Sequence, residues 1–438
     1  MSRRKILFLS PRVPFPPNKG DKIRSFHQID YLAARHYVYC ACFVDDERDA
    51  THIETVRRWC QDVIAIPWKK PAALWRATAA WVQGRSLTCA AYERPAMRAA
   101  LAAWADKHSF DVVTAYSSSM AAYALDVPAG RRVLDLCDAD SQKWIDYAEE
   151  SRGPLRWAYR REGMRLREFE LFCTARFDAT LVITERERAI LDPVGADERL
   201  HVVSNGVAVP RERSRLASMS GPVIVFVGAM NYRPNVDAVT WFVREVWPIV
   251  RRRQPLARFL VVGRDPTASV RRLASAKGVE VLGDVADVSP FLQLARVVVA
   301  PLRIARGLQN KVLEAMAMGR PVVTSSAAAS CMTAEPGREL IVADLKEDFA
   351  QKVVQLLTDD RLCDRVASAG CRRIQRDYDW SRNLREYERI VLGETALKRG
   401  GPIEAIAVRK TPTRRFDTPL ISGTIGAFRA GKACRKVL

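Results

Sequence analysis

The chain has 438 residues, 48% of them hydrophobic, with 70 Lys and Arg against 50 Asp and Glu and a formal charge of +20. That length exceeds what one core usually organises, and the apolar content is ample for packing, so a single small module and a largely disordered chain are both excluded. The basic excess favours phosphate-bearing ligands, an anionic membrane or nucleic acid, without choosing among them.

The ten cysteines are scattered, and none forms a C-x-x-C pair, so neither a zinc site nor a thioredoxin-like motif is expected. Most sit inside apolar runs, which fits reduced, buried thiols and a cytoplasmic protein. No apolar run approaches the roughly 20 residues that span a bilayer. The opening MSRRKILFLSPRVPFPP has a basic lead, but its apolar patch is only Ile6–Leu9, too short for a signal peptide.

In chain order, Lys5–Ser10 reads as a buried strand, followed by a proline-rich loop containing Gly20 and a helix over Lys22–Arg35. Tyr37–Val44 and Val63–Ile66 are further strands, with Ile53–Trp59 helical between them. The stretch from Trp68 to Val82 carries Trp68, Trp75 and Trp81 among cations. It reads either as an amphipathic segment for a membrane interface or as an ordinary helix packed on the core. Asp111–Tyr116 and Arg132–Leu136 are strands whose C-terminal ends carry Ser117–Ser119 and Asp138, Asp140 and Lys143. Strand C-termini are where α/β sheets gather ligands, which marks Asp138 and Asp140. Ser151–Phe172 is a basic helix, read mainly as a solvated face, and Ala179–Thr184 closes the first domain's strands.

Pro210–Ser220 reads as a linker. The second domain restarts with the strand Val223–Val227 and the loop Gly228-Ala-Met-Asn-Tyr-Arg-Pro-Asn, then a helix over Ala238–Arg252. Ala257–Val262 is a strand ending in Gly263-Arg264, and Val279–Leu282 is a shorter one. Helices occupy 346–374 and Asp379–Leu392. From Thr395 onward the composition turns basic, with ten Lys/Arg and two acidic residues, and reads as a disordered tail.

The stretch 297–326 organises the rest. Val297–Leu302 is a buried strand, Arg303–Asn310 a basic loop, Lys311–Met318 a helix closed by Gly319, and Pro321–Thr324 another strand. Backbone N–H groups of Gly307 to Asn310 stand at a helix start, where an anion is favoured, with Arg303, Arg306 and Lys311 adding charge. Glu314 shares a helix face with Lys311. A cation beside a carboxylate at a sheet mouth suits a nucleoside diphosphate, the cation on phosphate and the carboxylate on ribose. The plainer reading is a solvated loop with a local ion pair.

Gly307, Lys311, Glu314-Ala315 and Gly319-Arg-Pro-Val-Val resemble the donor motif of the GT-B glycosyltransferases, specifically retaining family 4. Position 306 is Arg where that family places the first Glu of its E-x7-E motif. The likeness extends over roughly 5–393. PFPPNKGDKIRSFHQI and DADSQKW look most like the PEP-CTERM/exosortase-associated sugar transferases. The resemblance implies an α/β GT-B fold of two Rossmann-like domains facing each other across a cleft. The expected division is an acceptor domain (1–209), a linker (210–220), a donor domain (221–375), a helix returning to the first domain (376–394) and the tail (395–438).

The implied activity is retaining transfer of a sugar from a nucleotide-diphosphate sugar to a glycan or polyprenyl-linked acceptor, in exopolysaccharide biosynthesis. No metal or other cofactor is implied. Lys311, Arg233, Arg306 and Asp138 are the catalytic candidates. Gly20, Gly228, Asn231, Arg264, Gly307, Leu308, Lys311 and Glu314 are the donor-binding ones. An anionic membrane surface is a further expected partner, through Trp68–Trp81 and the tail, on the inner face of the plasma membrane; nucleic acid is not. A GT-B epimerase on UDP-sugars and a non-enzymatic basic binding protein remain the alternatives.

Overall fold

The computed structural model describes residues 2–17, 20–207, 222–283, 285, 287–305 and 307–394. The expected linker and tail, and Arg306, lie outside the described residues.

The first sheet takes its strands from short apolar runs: β1 (Lys5–Ser10), β2 (Tyr37–Val44), β3 (Asp62–Pro67), β4 (Phe110–Tyr116), β5 (Ala129–Cys137), β6 (Ala179–Val182) and β7 (Leu200–Val202). They pair in parallel in the order β3-β2-β1-β4-β5-β6-β7. The second sheet comprises β8 (Val223–Val227), β9 (Arg258–Gly263), β10 (Val279–Gly283), β11 (Val297–Ala300), β12 (Val322–Thr324) and β13 (Ile341–Val342). Its order, again parallel, is β10-β9-β8-β11-β12-β13. Helices cover both faces of each sheet, which is why β8 and β11 are apolar at every position rather than alternating.

Strand order reverses between β1 and β4 in one sheet and between β8 and β11 in the other. Open α/β sheets leave a crevice at such switch points, outside the strand C-termini. The segments that follow β4, β8 and β11 carry Ser117, Gly228 and the 301–309 loop, so the topology places these at the two crevice mouths.

The lobes are joined at two side-by-side crossings. Val207 bridges Asp379, Asn383 Nδ2 donates to the Ser204 carbonyl at 3.1 Å, and a Cβ on Gly206 would lie 2.4 Å from the Trp380 ring. The helix Trp380–Leu392 then lies on the first sheet. Its Leu384, Tyr387, Ile390 and Val391 share a core with Ile6, Phe8 and Val133.

Several boundaries differ from the sequence reading. The first sheet does not end at Ala179–Thr184, because β7 adds a seventh strand. The first helix begins at Gly20, not Lys22. The helix expected at Ala238 begins at Arg233, where Pro234 in the first turn fixes φ and needs no N–H partner. Trp68 precedes the helix Lys70–Val82 and stacks on Tyr92 at 5.5 Å, so the three tryptophans do not share one helix face.

Candidate active site

The second-lobe side of the site is built on three strand ends. After β8 comes Gly228, where a Cβ would lie 2.6 Å from Asn235 Nδ2. Only glycine lets the buried Asn235 pack there, with its Nδ2 donating to the Ala229 carbonyl at 2.9 Å. The other end of that amide, Oδ1, accepts from Lys311 Nζ. Lys311 opens the helix Asn310–Ala317 after β11, and its ammonium sits 5.0 Å from the centre of the Phe226 ring. Burial pushes the Lys311 pKa down to about 8, partly offset by the nearby Glu314 carboxylate. Burial pushes Glu314 up to about 7, against the pull of Lys311. A cation and a carboxylate held in a partly dehydrated pocket interact strongly with an arriving ligand, because less water screens them.

The other predicted donor residues of this lobe lie on the loops after β8 and β9. Met230 N donates to the Arg264 carbonyl, and Asn231 Nδ2 donates to Asp265 at 3.3 Å, tying the β8 and β9 loops together. Arg233 is exposed, two residues before Asn235. Arg303 is committed to a two-point pair with Asp237, so its charge, expected to face a ligand, is already compensated.

The first-lobe side of the site is built on β5 and the helices after it. Buried Glu170 accepts from Ser141 N at 3.0 Å and from Ser141 Oγ, capping the helix Asp140–Glu150. Glu187 accepts from Ala139 N at 2.7 Å. These two carboxylates fix the turn that presents Asp138. Asp138 Oδ1 is shielded from solvent and makes no hydrogen bond among the described residues. Burial, with Glu187 and Asp140 nearby, pushes the Asp138 pKa up to about 7.

The two sides meet across a cleft of about 430 Å³ whose walls include Gly20, Ser117, Asp138, Gly307, Leu308 and Asn310. A Cβ added to Gly20 would meet no atom within 4 Å among the described residues, so this glycine borders open space. Gly307 has φ +59°, a left-handed conformation that favours glycine, and a Cβ there would be 3.4 Å from Asp138 Oδ1. Ser117 also holds a positive φ, 72°, at the end of β4; such strain in a non-glycine residue clusters at functional sites.

Sequence reasoning missed two supports of this site. One is Asn235, which carries Lys311. The other is a wholly buried pair. Arg24 donates from Nε to Asp135 Oδ2 at 2.8 Å and from Nη2 to Oδ1 at 3.2 Å, and its Nη1 reaches the Val203 carbonyl and Asn205, each at 2.9 Å. The signal was present, since a carboxylate inside the apolar strand Val133–Cys137 requires a buried partner.

Residues 221–359 match the family model described as Glycosyl transferases group 1. No curated protein sequence matches the chain. Among solved structures, Anabaena HepE in complex with UDP and glucose superposes with a TM-score of 0.61 at 13% identity, covering 90% of this chain and 100% of that one. Sucrose-phosphate synthase from Thermosynechococcus elongatus gives 0.61 at 15% identity, covering 89% and 98%. WaaG, a glycosyltransferase involved in lipopolysaccharide biosynthesis, gives 0.57 at 17%, covering 89% and 100%. The fold, with its paired parallel sheets, is therefore GT-B, and the chain is a glycosyltransferase-type enzyme whose residues 221–359 are similar to the glycosyl transferases group 1 family.

Proposed function

We propose that the chain is a retaining glycosyltransferase of family 4, of the PEP-CTERM/exosortase-associated type. It moves a sugar from a nucleotide-diphosphate donor to a glycan or lipid-linked acceptor in exopolysaccharide biosynthesis. The observation that carries this reading is the half-buried Lys311, held by Asn235 beside Glu314. The helix that carries this pair follows the loop whose Gly307 stands against Asp138. The Anabaena neighbour's complex with UDP and glucose favours a UDP-type donor, and WaaG's part in lipopolysaccharide biosynthesis favours an envelope glycan.

In this reading Lys311, Arg233, Arg306 and the N–H groups of Gly307 and Leu308 meet the diphosphate, and Glu314 holds ribose hydroxyls. The bond between the sugar carbon and the donor phosphate oxygen breaks, with the electron pair leaving on the diphosphate. The acceptor hydroxyl bonds to that carbon and gives its proton to the departing phosphate. Stabilising the leaving charge is an electrostatic task, which fixed cations and backbone N–H groups perform without reorganising. Asp138 orients the acceptor hydroxyl. Gly20 leaves room for the donor, Gly228 admits the Asn235 amide that holds Lys311, and Asn231 and Arg264 shape the rim. Among the described residues no helix is long and apolar enough to cross a membrane. The enzyme works at the cytoplasmic face, in peripheral contact with the membrane.

The epimerase alternative requires histidine acid/base chemistry in the cleft. His27 is instead stacked on Trp380 at 4.2 Å, with burial lowering its pKa to about 4, and His36 pairs with Glu388 at 3.0 Å. A panel of nucleotide sugars and nucleoside diphosphates, read by thermal stabilisation and then by donor hydrolysis, tests the proposal. At least one should stabilise the wild type and none should stabilise Lys311→Ala. Equal stabilisation of both proteins sinks the reading.

A further inference from the structure

A smaller cavity, of about 230 Å³, adjoins the cleft along Asp138, Asp140, Lys143 and Gly307, which line both spaces. Its volume is below the roughly 300–1,000 Å³ of sites for drug-sized ligands, so it suits one small ring rather than a nucleotide. The first lobe supplies most of the wall. The helix Asp140–Glu150 contributes Asp146 and Tyr147, and the helix Glu185–Leu191 contributes Arg186 and Glu187. The second lobe adds Tyr232 and Gly307. Arg186 Nη1 also donates to Ser330 Oγ at 3.5 Å, so one wall residue contacts the second lobe directly.

The charge of this wall is one-sided. Four carboxylates, Asp138, Asp140, Asp146 and Glu187, stand against two cations, Lys143 and Arg186. Burial pushes the Asp140 and Glu187 pKa values up, and the nearby Lys143 and Arg186 pull them back. Asp138 Oδ1, at the edge shared with the cleft, makes no hydrogen bond among the described residues. A shielded acceptor of that kind calls for a donor from a ligand. Tyr147 and Tyr232 come from opposite lobes and are 37% and 60% exposed. Tyr147 is braced by Trp144 and Tyr159, with ring centres 6.1 and 5.9 Å away. Tyrosine offers an apolar face and a polar tip, which suits a ring with C–H faces and hydroxyl edges. A wall that already holds excess negative charge repels a further anion, and such repulsion is a means of specificity.

We propose that this cavity is a charge-filtering subsite for a sugar ring of the acceptor: it takes a neutral or amine-bearing ring and rejects one carrying a carboxylate or phosphate. The inference rests on the transferase reading and adds a selectivity which that reading leaves open. Hydroxyl or ammonium protons of the ring go to the carboxylates, Asp138 Oδ1 among them, and a C–H face lies on tyrosine. The predominance of first-lobe residues in the wall favours the acceptor's ring over the donor's.

The test titrates the full chain, with UDP present, with the methyl glycosides of glucose, galactose, glucosamine and glucuronic acid, read by NMR. UDP binding is measured in parallel by calorimetry. At least one neutral or amine-bearing glycoside should bind roughly tenfold or more tightly than the glucuronide. Tyr147→Ala should weaken that glycoside by a similar factor and leave UDP binding unchanged. Asp146→Lys should strengthen glucuronide binding, a gain that a merely structural role would not produce. If the glucuronide binds as tightly as the others, or no glycoside binds while UDP does, the filter is wrong and the transferase reading stands. Glycoside binding that neither variant alters places the ring elsewhere and overturns the proposal. If the variants change the affinity of UDP-glucose relative to UDP and not that of the glycosides, the ring is the donor's and the acceptor assignment fails. Failure of UDP and all other nucleotides to bind falls on the transferase reading itself.

Discussion

Gly307 of the second lobe stands directly against Asp138 of the first: a Cβ added to the glycine would lie 3.4 Å from one carboxylate oxygen and 3.5 Å from the other. The loop after β11 and the Asp138 turn thus approach each other closely at this point of the cleft. Gly307→Ala would introduce a left-handed alanine, costing roughly 1–2 kcal/mol, and would narrow that gap. Turnover should fall at least tenfold with a smaller change in UDP affinity, measured by steady-state kinetics beside direct UDP binding. Unchanged turnover would show that the gap is not on the reaction path.

Asp138 and Lys311 titrate on either side of the neutral range. The Asp138 carboxyl, raised to about 7, ionises as pH climbs through that value. The Lys311 ammonium, lowered to about 8, is lost above it. If both must be charged, turnover follows a bell between these values, the lower limb belonging to Asp138 and the upper to Lys311. Asp138→Asn should depress turnover and flatten the lower limb while UDP still binds. A variant that keeps the wild-type acid limb would remove Asp138 from the reaction.

Lys311 also carries a stability cost. Its folded value, about 8, lies below the unfolded 10.5, so between those values the unfolded chain binds more protons and stability rises with pH. Lys311→Met removes the buried ammonium. The ligand-free protein should melt higher at pH 7 than wild type, and its stabilisation by UDP should vanish. Charge-assisted contacts contribute about 1.5–3 kcal/mol, so UDP affinity should fall on the order of tenfold to a hundredfold. Calorimetry with and without UDP reads both effects.

Gly228 acts on Lys311 through Asn235. Gly228→Ala would push a methyl to 2.6 Å from Asn235 Nδ2 and displace the amide whose other end holds the ammonium. UDP affinity should drop to near that of Asn235→Ala, and combining the two substitutions should add little. Additive losses would mean that Gly228 contacts the donor on its own.

The Arg24–Asp135 pair holds the first helix, β5 and the Asn205 crossing together without reaching into the cleft. Arg24→Met leaves a buried, unpaired carboxylate and should cost about 3–5 kcal/mol, whereas Arg24→Met with Asp135→Leu should recover much of it. Urea unfolding of the wild type, both single variants and the double variant measures this. A single variant no less stable than the double would overturn it.

Much of this architecture is local and therefore legible in the sequence. The apolar runs at Lys5–Ser10, Tyr37–Val44 and Val223–Val227 coincide with strands, because a strand covered on both faces must be apolar throughout. The donor helix is legible to within a residue, as Gly319 and Pro321 punctuate it. Lys311 and Glu314 stand out for the same reason, since helical spacing alone puts them on one face. Contacts across the tertiary fold decided the rest. The Lys311 partner is Asn235 because β8 and β11 are neighbours at the switch point, and no periodicity encodes that adjacency. Trp81 packs beside Trp157 while Trp75 is exposed because the long helix Gly153–Thr174 meets Lys70–Val82 only near its C-terminal end. Composition and spacing determined most of the strands and helices. Only the packing of two separate sheets could bring Asp138 to Gly307, because which residues face each other across a cleft depends on how whole lobes dock rather than on any local pattern.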